Sequence, residues 1–283
     1  MNDQPPASTI DSVTRGLRWR AVAPIRGYVR YSPFQRGKGL LVRRLLLPAL
    51  PADPAVFVAP LPGGGLVQLH PRETIGFSTL VFGGFETAEI RCAIERSMQG
   101  TTTFDVGANV GIFSVALARA VGSDGQVVAI EPDPASVRRL RGNLALNSVA
   151  NARVVEAAAN DREGMVELHI ADDPAYNSVF AIEGRHAQAG TVWVPSVRLD
   201  QIWSDLGCPS VSFVKVDVEG AEASVIRGAA VMILTARPAL LMEAADRHRL
   251  ALLCSELEAF GYGEAPQPGF QPWNHLFLHR DLL

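Results

Sequence analysis

The chain has 283 residues, 48% hydrophobic, 19% charged and 7% aromatic, which excludes a mainly disordered polymer. It has no Gly-X-Y period and no repeat at about 20–50 residues, and its three scattered cysteines, Cys92, Cys208 and Cys254, read as small buried apolar residues rather than a disulfide framework. The net charge of −3 is uneven: residues 1–50 carry nine Lys and Arg against two acids, and the remainder carries 17 against 27.

The polar start has no apolar core before a cleavage site, so no signal peptide is expected and the default location is cytoplasmic. The apolar run from Leu45 to Pro62 is interrupted by five prolines and Asp53, so no transmembrane segment is expected. Residues 1–50 read as helical and irregular pieces. Val56–Ala59 and Leu66–His70 suggest a hairpin around three glycines, and Gly76–Phe82 reads as a third strand. Ile90, Ile94 and Met98 give Glu86–Met98 a helical spacing.

From residue 101 strands and helices alternate. Thr102–Val106, Gln126–Ile130, Arg153–Ala157, Met165–Ile170, Val192–Val197, Val211–Val216, Ala239–Glu243 and Asn274–His279 read as strands. Ile112–Val121, Pro134–Asn147, Leu199–Leu206, Ala221–Arg227 and Arg247–Phe260 read as helices. That alternation indicates an α/β fold, a parallel sheet covered by helices. The division expected is a basic N-terminal extension, 1–84, and a domain at 85–283.

Asp105-Val106-Gly107-Ala108-Asn109-Val110-Gly111 lies between a predicted strand and helix, where open α/β sheets bind nucleotide-like ligands. Glu131 follows Gly111 by 20 residues, at the end of the next strand, where a carboxylate accepts from ribose hydroxyls. A dinucleotide site wants a middle glycine; here Asn109 stands there. Asp105 also suits the cationic end of S-adenosylmethionine better than a pyrophosphate. A nicotinamide-dependent oxidoreductase is therefore the weaker alternative, and a bare strand–helix turn the ligand-free one.

The glycine loop resembles motif I of class I S-adenosylmethionine-dependent methyltransferases, in the form typical of the FkbM family. Val214-Lys215-Val216-Asp217-Val218-Glu219-Gly220-Ala221-Glu222 resembles that family's Lys-x-Asp-x-Glu-Gly-x-Glu signature, and Pro238–Glu243 its following strand. The resemblance covers about 85–280. It implies a Rossmann-like sheet of seven strands with the last antiparallel, and methyl transfer to a hydroxyl of a sugar or natural product. It further implies that Asp105, Gly107, Asn109 and Gly111 line the cofactor, that Glu131 holds its ribose, and that Asp161 meets the adenine. For Asp161 a surface turn competes closely. A cofactor-binding protein without chemistry is disfavoured because both blocks are complete.

Lys215, Asp217 and Glu219 alternate along a strand and so share one side. Asp217 is the first candidate base, with Glu219 and Glu243 behind it, and His248 and His275 further options. A cap on the helix near Ala221 is the competing role for the two loop acids. An oxygen-ligand metal is a lesser reading, and none is expected. The acceptor is a small molecule or glycan, met by residues 171–190, the stretch before Glu86 and the loop at 264–273. The basic head reads as an appendage packing on the core or in an oligomer contact, with no nucleic acid expected.

Overall fold

The computed structural model describes residues 21–32, 34, 38–50, 56–179 and 188–282. It divides into two compact units, Met1–Leu61 with Leu66–Thr87, and Pro62–Gly65 with Ala88–Leu283. None of the helices among the described residues is long and apolar enough to cross a membrane.

In the first unit a helix at Ala23–Tyr31 precedes short helical pieces from Lys38 to Ala49. Pro48 lacks the N–H that would reach back a turn, and the chain before it widens into π-helix at Val42–Leu46. Strands β1 (Phe57–Pro60) and β2 (Leu66–Leu69) pair antiparallel. Gly76–Phe82, read above as a strand, is instead part of a helix, Thr74–Phe82. Its apolar residues face all round, so neither period shows in the sequence. Three features favour the helix. Gly76 leaves room for the His70 carbonyl. Thr79 Oγ1 folds back on Ile75 O at 2.8 Å. Gly83, at φ +91°, closes the end with its N–H on Thr79 O. Val29, Leu46, Leu50 and Val81 form this unit's core.

The second unit holds the helix Thr87–Arg96 from its second residue onward. Its main sheet holds β3 (Thr102–Val106), β4 (Gln126–Ile130), β5 (Ala152–Val155), β9 (Val211–Val216), β10 (Ala239–Glu243), β11 (Tyr262–Glu264) and β12 (Asn274–His279). The order is β5-β4-β3-β9-β10-β12-β11. β12 runs antiparallel to both of its neighbours, so it alone opposes the rest. The expected α/β sheet of seven strands with Asn274–His279 reversed is present.

β3 is buried at every position, as a central parallel strand covered on both faces should be. Phe104, Phe213, Leu199 and Phe277 are among the largest buried side chains. β3 to β5 build outward in one direction, and β9 and β10 in the other. The crevice between the carboxyl ends of β3 and β9 is thus the topological switch point.

Among the elements not anticipated are β11, a helix at Ala230–Ala236, and β6 (Ala158–Ala159). β6, β8 (Gln188–Val197) and β7 (Gly164–Ala171) form a separate three-stranded sheet, with Leu168 and Val194 buried between its side chains and Ala158. The cysteine reading needs one correction: Cys92 is buried, but Cys208 is exposed in the turn after the Leu199–Asp205 helix, at φ +55°.

Candidate functional site

The glycine loop leaves β3 at Val106 and is shaped by two close approaches. Gly107 has φ +77°, and a Cβ there would collide with the Asp217 carbonyl. Gly111 has φ +87°, N-caps the helix Ile112–Val121, and leaves room only for Leu140. Both need glycine. Asn109 between them is also left-handed, at φ +48°, a conformation Asn tolerates. The buried Asn143 side chain fixes the loop by donating to Val110 O at 2.8 Å.

Asp105 lies beneath this loop with no exposed surface. Ser114 Oγ donates to its Oδ2 at 2.5 Å, while Oδ1 is buried without a hydrogen-bond partner. Burial raises the Asp105 carboxyl above the usual range; the Lys215 ammonium, 4.0 Å from Oδ1, pulls the other way.

Glu131 follows β4. Its two oxygens accept from the backbone N–H of Asn109 and of Asp133, each at 2.8 Å. The carboxylate thus joins the glycine loop to the next turn, and each oxygen keeps a further lone pair. Burial pushes its carboxyl up to about 7 despite those two donors.

The second block follows β9. Lys215 and Asp217 do share a side: Lys215 Nζ lies 3.0 Å from Asp217 Oδ2. The alternation ends there, because Glu219 turns left-handed at φ +54°. Asp217, Glu219 and Glu243 nonetheless converge, each offering a carboxylate oxygen within 4.8 Å of the others. Asp217 and Glu243 share a hydrogen bond, so one of the two carries a proton. Burial, then the adjacent Asp217 charge, raises Glu243 strongly. Burial alone would also raise Asp217, but Lys215 and the Glu243 hydrogen bond hold it below the usual carboxylate range. The proton therefore sits on Glu243, and Asp217 is the ion. Burial and the charge of Asp217 raise Glu219 as well. An all-oxygen cluster is the donor set of a hard cation; here Lys215 and the shared proton already offset its charge.

The capping alternative for the loop acids does not describe this geometry. The N-cap of the helix Glu222–Gly228 is Ala221, without a side-chain bond. Glu222 organises the turn instead, accepting from Gly220 N at 2.9 Å and Val218 N at 3.3 Å.

Asp161 is placed elsewhere in bonding terms. Its carboxylate meets Arg162 Nε at 3.2 Å and Arg227 Nε at 3.4 Å, and Arg227 also binds Glu256. Burial raises its carboxyl, but the two arginines together outweigh it and hold it below the usual range. No hydrogen bond or ion pair among the described residues joins it to Asp105, Glu131 or the acid cluster. His275 Nδ1 pairs with Glu264 at 2.8 Å, and His248 serves its own helix start through its backbone N–H on Asp246.

Lys215, Ser114 and Glu222 received no role from the sequence. Lysine in an apolar strand was the available signal, since a buried ammonium requires buried acid partners. Of the loops expected to meet the acceptor, residues 180–187 lie outside the described residues. Ser178 Oγ donates to Glu219 O at 2.8 Å, which brings the preceding segment to the acid cluster. The 264–273 loop is held by buried Glu89, which accepts from Gln271 N at 2.5 Å.

Residues 105–263 match the family model described as the Methyltransferase FkbM domain. The 2-O-methyltransferase NoeI of Sinorhizobium fredii (strain NBRC 101917 / NGR234) is 28% identical over 116 residues, covering 36% of this chain and 47% of that protein. The match thus spans about half the length of that curated relative. Among solved structures, methyltransferase FkbM from Methylobacillus flagellatus KT is similar at 19% identity and TM-score 0.45, covering 72% of this chain and 52% of that one. Precorrin-6y C5,15-methyltransferase from Geobacter metallireducens GS-15 is similar at 17% identity and TM-score 0.42, covering 68% and 86%. With more than half its length matched by the family model, the chain belongs to the FkbM methyltransferase family.

Proposed function

We propose that the protein is an S-adenosylmethionine-dependent O-methyltransferase acting on a hydroxyl of a sugar or a related small molecule. The observation that carries this reading is the facing of two parts across the switch point: the Asp105–Gly111 loop with Glu131, and the ionised Asp217 of the acid cluster. The buried Asp105 carboxyl, whose Oδ1 accepts no hydrogen bond, and the Gly107 turn, which admits no Cβ, fit a small cationic ligand better than a pyrophosphate. When bound, S-adenosylmethionine supplies an electrophilic methyl group on a sulfonium. Glu131 keeps lone pairs for the ribose hydroxyls, while Asp105 and the loop backbone hold the amino-acid end.

Methyl transfer is an in-line displacement, so the protein's share is alignment and the removal of one proton. Asp217, ionised beside a protonated Glu243, is the acceptor for the hydroxyl proton; Glu243 and Glu219 shape its surroundings. The 2-O-methyltransferase relative supports a hydroxyl as acceptor. The division into an N-terminal extension, 1–84, and a methyltransferase domain, 85–283, belongs to this proposal.

The test uses methyl-labelled S-adenosylmethionine with a panel of free sugars, glycosides and phenols, locating the label in the product. Label on a sugar hydroxyl is the expected result; label on nitrogen or carbon contradicts the O-methyl assignment. Asp217→Asn should keep cofactor affinity and lower turnover by roughly 10²–10⁴-fold, the usual contribution of a general base. Unchanged turnover in that variant removes Asp217 from the chemistry.

A further inference from the structure

Lys215 sits where the two halves of the site meet. In the β3–β9 register it lies opposite Asp105, so both side chains leave the sheet on one face. Its side chain is 8% exposed. The ammonium reaches Asp217 Oδ2 at 3.0 Å, Gly107 O at 3.2 Å and Asp105 Oδ1 at 4.0 Å, and it lies 5.0 Å from the centre of the Phe113 ring. Each contact comes from a different part of the site: the acid loop, the glycine turn, the buried acid beneath that turn, and the first turn of the helix after it. A buried ammonium is tolerated only where its donors are used in this way.

We propose that Lys215 is a positioning residue whose buried ammonium pins the Asp217 carboxylate to the carbonyl of Gly107 and so sets the acid cluster against the glycine loop. The charged groups facing the pair come from several elements. Asp105 lies on β3, Glu131 follows β4, Glu219 lies in the loop after β9, Glu222 begins the helix Glu222–Gly228, Glu243 is on β10, and Arg249 is on the helix Arg247–Glu258. Five of the six are acids, so the field without Lys215 favours protonation of the cluster. Lys215 lies beside one member, Asp217, and thereby decides which acid stays ionised. The proton then stays on Glu243, which faces the ionised Asp217 as a hydrogen-bond donor. Lys215 also explains how one strand end carries ionisable groups in an apolar sheet: Asp105 and Asp217 share the cation that each needs.

The inference relies on the methyl-transfer reading only for what Asp217 does in turnover. Its test needs neither cofactor nor acceptor, so the two readings fail separately. The full-length protein is labelled at the aspartate side-chain carboxyl with carbon-13, and the Asp217 signal is identified as the one lost in Asp217→Asn. In the wild type that signal should stay at its ionised position from pH 8 down to pH 5. In Lys215→Met, which keeps the stem and removes the charge, it should titrate with a midpoint above pH 5. An adjacent cation typically shifts a carboxylate by roughly 1–3 units, and the burial penalty is then left uncompensated. A flat Asp217 signal in a Lys215→Met variant with a cooperative thermal transition overturns the proposal. If Lys215→Met does not fold, Lys215→Gln is read the same way. A wild-type Asp217 that titrates above pH 5 overturns it without any variant.

Discussion

Glu131 links the glycine loop to the second strand's turn and, on the reading above, the protein to the ribose. Removing the carboxyl takes the acceptor from the Asn109 and Asp133 N–H groups, a local loss that should leave the sheet folded and weaken the ligand. Hydrogen bonds to a charged group contribute about 1.5–3 kcal/mol, or roughly ten- to a hundredfold in affinity. Glu131→Ala should therefore raise the S-adenosylhomocysteine dissociation constant by that factor in calorimetry, with an unchanged far-ultraviolet spectrum. An unaltered constant in a folded variant takes Glu131 out of the binding site. Asp105 is different: it is fully buried, with Ser114 on one oxygen and Lys215 near the other, so its removal disturbs packing and charge together.

Individual elements owe their starts and stops to identifiable residues. Asp133 caps the helix Pro134–Leu146, accepting from Ala135 N at 3.2 Å and from Ser136 N and Oγ at 2.9 and 2.8 Å. Asp133→Ala should lower the unfolding free energy by about 1 kcal/mol in urea titrations; a loss indistinguishable from zero shows that the cap is dispensable. Elements with a clear period or composition were legible from the sequence. β9 was legible from its β-branched run, and the helix read as Pro134–Asn147 from its apolar face of Val137, Leu140 and Leu144. Gly76–Phe82 was not, because a helix apolar on all sides has no period to read. The small sheet of β6, β8 and β7 was half visible as two separate runs, but the pairing of Gly164–Ala171 with Gln188–Val197 is a long-range event. In the site, the glycine loop, Glu131 and the acids after β9 were legible because their spacing repeats a known motif. The role of Lys215 was not, since it depends on which strands lie side by side.

Across the second unit, buried carboxyl groups gather toward the carboxyl ends of the central strands β3, β4, β9 and β10. Glu131 is pushed up to about 7, and Glu219, Glu222, Glu243 and Asp105 are also raised, all chiefly by burial. A carboxyl with a raised folded-state pKa stabilises the fold fully below its unfolded pKa, about 4.3 for Glu, and that contribution disappears as pH rises through the folded value. The window set by Glu131 runs from about 4.3 to about 7. The ligand-free protein should thus lose thermal stability between pH 5 and pH 8. Glu131→Gln should flatten part of that slope, because Gln cannot ionise. Cofactor affinity should move the other way across the same window, since the ionised carboxylate is the better acceptor for ribose hydroxyls. Thermal melts and S-adenosylhomocysteine titrations at pH 5.5 and 8 check both signs; a melting temperature that rises with pH contradicts the buried-acid account.

On the proposed function, the crevice between β3 and β9 holds S-adenosylmethionine rather than a dinucleotide. Calorimetric titration of one protein preparation with S-adenosylhomocysteine and with NADH tests it most directly. Saturable one-to-one binding of S-adenosylhomocysteine and no measurable heat from NADH are expected; tighter binding of NADH than of S-adenosylhomocysteine overturns the assignment.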